Sequence, residues 1–299
     1  MFLQFVSKSS IIVLFLLYGL AGWTQNIGYR KYKKNEKYRY QLTVETYTNG
    51  TLSSKEVSVS EHTVLKESRI YQEEIKWLSK IRYSGKDSTD FSIYAKSIKP
   101  YRISLAKNGK VLLPALSIPE MTGDITDLNT FFVAVSPALK MQYLSKSKTT
   151  LQLSEPIKGV FSDGIKILRG EDCTVVSQEL LSNTDSMIKI RTNFSPPSSF
   201  CLTPFLELVS TKVFDAPNNF QMIQSAGNSK VNFLWGVESF SIDSEIESNT
   251  GKILHGTMTN KLQLKARINA STDLSNWQLE MPLEIIRKIE LKILPPTND

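Results

Sequence analysis

Residues 230–294 read "KVNFLWGVESFSIDSEIESNTGKILHGTMTNKLQLKARINASTDLSNWQLEMPLEIIRKIELKIL". Two turn clusters, Asn249-Thr250-Gly251 and "STDLSN" at 271–276, cut the stretch into three long segments. In the last of them Ile285, Ile289, Leu291 and Ile293 share one parity, and Lys288, Glu290 and Lys292 share the other. A period of two between turn residues is the pattern of a strand with one wet face. Arg287 alone breaks it, a charge on the apolar parity. Strands this long predict a mainly β chain, built as a broad curved antiparallel sheet, or sheets, around a core.

The same period runs through much of the rest. Tyr38, Tyr40, Leu42 and Val44 alternate with polar residues, and "TNG" at 48–50 ends that strand. "EIKWLSKIRY" places Ile75, Trp77, Ile81 and Tyr83 on one face. "PYRISLAKNGKVLLPAL" predicts a hairpin turning at Asn108-Gly109. "SNTD" at 182–185 predicts the turn of a second two-stranded ribbon, and "SPPSSF" at 195–200 interrupts the ladder.

One segment departs from this period. Ile125, Leu128, Phe131, Phe132, Val135 and Leu139 recur at three- and four-residue spacing, so the principal helix is expected at about 124–141. Asp124 or Thr126 would cap its start, and Asp124 and Asp127 would then sit near its N-terminus, where acids are favoured. "SKSKTT" at 145–150 reads as a connector. The body, 38–299, is then one domain or two halves, 38–141 and 149–294.

The beginning of the chain carries an address. Ile11 to Trp23 is an uncharged run of 13 residues, against about 20 for a membrane-spanning helix. Lys8 precedes it and Ala21, Gly22 and Thr24 end it, as in a secretory signal peptide. Residues 1–24 are therefore expected to be removed on export. The periplasm is the first expected destination; an outer-membrane-associated or secreted protein is the alternative.

A basic arm, 25–37, follows. Residues 30–39 hold six Lys or Arg and one Glu, whereas the chain from residue 40 on is nearly balanced, with 29 basic against 28 acidic residues. The net charge of +7 thus belongs to one short segment. Arg30, Lys31, Lys33, Lys34 and Lys37 form a candidate contact for an anionic membrane surface. Nucleic acid is not expected as a partner, since the chain is exported and shows no nucleic-acid-binding signature. Cys173 and Cys201 are a candidate disulfide in an oxidising compartment, with two buried thiols as the alternative.

Catalytic signatures are missing. There is no nucleophile elbow, phosphate-cradling loop or zinc-binding pair of histidines. The two histidines, His62 and His255, lie far apart in strand-like contexts. Glu73 and Glu74, adjacent on a strand, would point to opposite faces. No catalytic, metal or cofactor-binding residue is assigned, and a non-enzymatic protein is expected. Trp77 and Trp235 sit in apolar patterns and read as core.

The order of signal segment, "KYRYQLTVETYTNG", "GDITDLNTFF" and "KLQLKARINA" resembles the general layout of exported bacterial proteins of unknown function. These features together lead to the expectation of a cell-envelope protein that binds an apolar or amphipathic ligand, such as a lipid, or an envelope protein. The alternatives are a ligand-free β-sandwich that serves as a scaffold, and an outer-membrane-associated protein. Lys265, Arg267 and Arg287 along the strands argue against a lipid-facing barrel.

Overall fold

A computed structural model describes residues 29–67, 70–112, 114, 116, 118–139, 141–144, 149–152, 167–169, 175–196 and 219–295. The signal segment and both cysteines lie outside these residues, as does most of the 145–150 connector. The chain forms β1 (Lys37–Thr48), β2 (Thr51–Glu67), β3 (Ile70–Ser84), β4 (Asp87–Asp90), the short helix α1 (Ser92–Ser97) and β5 (Tyr101–Ile103). The long helix α2 (Pro119–Ala134) comes next. The remaining strands are β6 (Thr150–Gln152), β7 (Ile167–Arg169), β8 (Val175–Asn183), β9 (Met187–Ser195), β10 (Phe220–Gly227), β11 (Lys230–Glu247), β12 (Ile253–Ser271) and β13 (Leu279–Ile293).

All thirteen strands belong to one open antiparallel sheet, ten of them in the order β4-β3-β2-β1-β13-β12-β11-β9-β8-β6, with β5 beside β3, β10 beside β11 and β7 beside β10. The first strand pairs with the last, from Tyr40 opposite Ile293 to Thr48 opposite Ile285, so both halves of the chain share a single ladder. β11 changes partner along one edge. Its first part pairs with β10 up to Gly236, and its second part with β9 from Phe240. Gly236 has φ 155°, and a Cβ there would lie 2.1 Å from the Gln263 carbonyl oxygen, so only glycine fits where the edge is handed over. Asn219 closes the gap: its amide donates to the Glu238 carbonyl at 2.9 Å and accepts from the Glu238 N–H at 2.7 Å.

The helix begins five residues earlier than its spacing suggested. Pro119 opens it, a position where the missing N–H costs nothing and the fixed φ helps. Asp124 and Asp127 are therefore mid-helix and buried, not caps. Pro137, three residues past the end of the helix, prevents its continuation; two single 3₁₀ turns, Pro137–Leu139 and Met141–Tyr143, follow instead. The hairpin expected around Asn108-Gly109 is a closed loop. Neither residue has the positive φ of a type I′ turn, the Ser104 N–H donates to the Lys110 carbonyl, and β5 lies against β3.

The sheet wraps the helix. Lys80 of β3 holds Asp124, and Gln178 of β8 donates to the Ala134 carbonyl at 2.8 Å. Ten residues of helix measure about 15 Å. From β3 to β8 there are seven inter-strand gaps, about 34 Å of sheet at ~4.8 Å each. Even with the reach of two long side chains, the lengths agree only if the sheet bends into a trough with α2 inside it. Trp77, Tyr40, Phe131 and Phe132 are the largest apolar side chains sealed between the layers, each contributing about 1.5–3 kcal/mol through burial. Phe131 lies over Gly256 of β12, where a Cβ would come within 2.7 Å of the ring.

Candidate functional site

The floor of the trough beneath α2 is more polar than an ordinary core. Arg287 of β13 forms a two-armed pair with Asp127, with Nη1 to Oδ1 at 2.9 Å and Nη2 to Oδ2. The charge on the apolar parity of β13 faces inward because a carboxylate on the helix meets it. Lys80 reaches Asp124 and the Glu120 carbonyl, and also Glu56, which Arg82 shares. Lys80 sits on this face because of a bulge. Ser60 opposes Trp77 while Val59 opposes Ser79, leaving Leu78 unpaired. The extra residue shifts parity, so Ile75 and Trp77 face the core as expected while Ile81 and Tyr83 do not.

Beside these pairs lies a chain of three groups. Ser60 Oγ is 3.1 Å from His62 Nε2, and His62 Nδ1 is 3.1 Å from Glu73 Oε2. Serine, histidine and acid in this order are the parts of a nucleophile relay. Here, however, Ser60 is 1% exposed and His62 fully buried, under the rings of Tyr38, Tyr40 and Phe132. The three groups satisfy one another's polar atoms within the core. The second oxygen of Glu73 faces Arg30 at 3.6 Å. Burial would raise the Glu73 carboxyl, but the hydrogen bond and charge of His62, together with Arg30 and Tyr38, hold it below the ordinary range. Burial, helped by the Glu73 charge, pushes the Tyr38 and Tyr40 phenols well up.

Arg30 corrects the reading of the basic arm. It is 5% exposed, bonded to Glu36 at 3.0 Å and stacked over Tyr32 and Tyr38. It is an internal anchor and not a contact for an anionic surface, because two carboxylates and two phenol rings meet it in the core. Lys31, Lys33, Lys34 and Lys37 are exposed.

Past α2 the same face becomes apolar. The register aligns Met222, Leu234, Ala266 and Met281 in one row and Phe220, Gly236, Leu264 and Leu283 in the next; Leu262 and Ile285 follow. Phe220, Leu234, Leu262, Leu264 and Ala266 are buried, while Met222, Ile268, Met281, Leu283 and Ile285 are only partly so. On the opposite face Trp235 stacks on Phe233 and under Arg267, which also lies 3.7 Å over Trp277. A shallow cleft of about 500 Å³ borders Trp235, Pro282 and Glu284. His255, in the strand-like context read from the sequence, bonds Glu290 at 3.0 Å on the outer face.

Among the described residues no helix is long and apolar enough to cross a membrane, and no group of three or more His, Cys, Asp or Glu could hold a metal. The Lys80 and Glu73 clusters were missed in the sequence. Lys80 gives no signal there, because its orientation depends on a bulge against β2. Arg287 did give one, as the single charge on an apolar parity.

No protein-family model matches the chain, and neither does any curated protein. A solved structure of lipovitellin, described for its lipid–protein interactions, aligns with 90% of this chain at 10% identity and a TM-score of 0.45. The chain spans about a quarter of that much longer protein, 26% of its length.

Proposed function

We propose that this chain is a non-enzymatic protein of the bacterial cell envelope that holds an apolar or amphipathic ligand of the lipid class along the apolar end of its trough. The observation that carries this reading is the strip beyond α2. Met222, Ile268, Met281, Leu283 and Ile285 are contiguous on the inward face yet only partly covered, and partly covered apolar strips of this kind mark ligand or partner sites. The two methionines suit an irregular acyl chain, since their side chains adapt to shape. Export rests on the signal-like segment at 1–24, so the available ligands would be envelope components. The rival reading is a closed, ligand-free interaction module, and the burial of Phe220, Leu234, Leu262 and Leu264 speaks for it.

Native mass spectrometry of protein purified from the envelope of its own host distinguishes the two. A reproducible co-purified lipid is expected, and it should be lost in Met281→Glu and in Leu283→Gln proteins that keep the parent circular dichroism spectrum. A bare protein, or a ligand indifferent to both substitutions, would overturn the proposal.

A further inference from the structure

We propose that the end of the trough carrying the N-terminal arm is a docking surface for an anionic lipid membrane. This goes beyond the ligand reading above and rests on other residues.

The arm is pinned in place. The Lys31 N–H donates to the Thr250 carbonyl at 2.7 Å, the Asn35 N–H to Val64 at 3.0 Å, and the Val64 N–H to Glu36 at 2.9 Å. The buried Arg30 fixes its root. Tyr32 then recruits a second segment. Its hydroxyl accepts from the Leu105 N–H at 2.9 Å, which brings the closed 104–110 loop against the arm. Lys31, Lys33, Lys34 and Lys37 on the arm and Lys107 and Lys110 on the loop are exposed, and none of the six is in an ion pair among the described residues. Several lysines on the outer face of the sheet are instead paired: Lys55 with Glu45, Lys189 with Glu245 and Lys261 with Glu284. The nearby acids are already occupied. Glu36 is shared by Arg30 and Lys252, and Glu67 is held by Arg102. The charge at this end is therefore uncompensated.

The chemistry of the surface favours lipid over nucleic acid. Leu112, two residues beyond Lys110, is 64% exposed, an apolar side chain placed among cations as at a membrane interface. Base stacking would need free aromatic faces, but Tyr32 is taken up by Tyr71, at 6.2 Å, and by Arg30. Juxtamembrane lysine clusters draw proteins to anionic leaflets by adding small attractions.

Co-sedimentation tests this with protein made in its host. The vesicles are phosphatidylcholine alone, or phosphatidylcholine with phosphatidylglycerol at one part in three. Binding is expected only with phosphatidylglycerol, and is expected to vanish at about 1 M salt, where the Debye length is about 3 Å. K31E/K33E and K107E/K110E should each weaken it by at least about thirtyfold. K86E/K230E, with the same charge change at the opposite end of the strands, should have a much smaller effect. Thermal melts confirm that each variant is folded, and a co-purified trough ligand should survive in all three. Four results would overturn the proposal: no vesicle binding, equal binding to both vesicles, equal loss in the opposite-end control, or an effect confined to the arm with K107E/K110E silent.

Discussion

Arg287 on the last strand and Asp127 in the middle of the only long helix among the described residues meet through both arms of the guanidinium. Each sits at a position that periodicity reserves for an apolar residue. Removing one partner leaves the other charged and covered, which typically costs more than the pair itself contributes. Asp127→Ala is therefore expected to destabilise by about 3 kcal/mol, the lower end of the range for buried pairs, because the arginine side chain keeps 21% of its surface in water. Arg287→Met combined with Asp127→Leu should restore most of that loss. Urea denaturation of the single and double variants checks it, and additive losses in the double variant would contradict a coupled pair.

Gly256 and Phe131 form a second contact between the layers. A methyl group on Gly256 would come within 2.7 Å of the Phe131 ring, so Gly256→Ala should cost about 1–3 kcal/mol by overpacking. Phe131→Leu in the same chain should relieve part of that cost. If the alanine variant were as stable as the parent, the helix could not lie this close to β12.

Asn129 is buried on α2 and neither atom of its amide has a partner among the described residues. An unsatisfied buried amide costs about 1–3 kcal/mol. Asn129→Leu, which is also a better helix former, is expected to raise the melting temperature. A lower melting temperature would mean that the amide holds a hydrogen-bonded group in solution.

Acid should loosen the N-terminal end of the sheet. Against their own burial, Glu73 is held down by His62, Arg30 and Tyr38, Glu36 by Lys252 and Arg30, and Glu56 by Lys80 and Arg82; all three lie below the ordinary 4.5. A carboxyl depressed by folding stabilises above its unfolded pKa and loses that contribution as pH falls through the folded one. Asp124 works the other way, since burial outweighs Lys80 and raises it. With three groups against one, stability should fall as pH drops below about 4.5. Thermal melts across that range measure it, and Glu73→Gln should flatten the slope. A melting temperature that rose on acidification would give the balance to Asp124.

Much of this architecture could be read along the chain. The three long strands at 230–294, the ribbon turning at 182–185 and the existence of a central helix follow from residue spacing, because one wet face and one dry face impose a period on each element separately. What stayed hidden depends on a second element. The helix start was misplaced because Asp124 and Asp127 resemble acids of a first turn, while their partners, Lys80 and Arg287, are 44 and 160 residues away. The orientation of Lys80 turns on one unpaired residue, Leu78, and a bulge is a property of two paired strands.

The same division holds for the candidate sites. Sequence alone determined that the chain is mainly β, with one principal helix and a short basic segment ahead of a nearly neutral body, since these follow from local pattern and charge. Only the tertiary structure decided that the halves join through β1 and β13, that the sheet bends around α2, and that Arg30 turns inward while Lys107 and Lys110 join the arm lysines. Those outcomes depend on which surfaces meet across long separations, and contact between distant residues leaves no period in the chain.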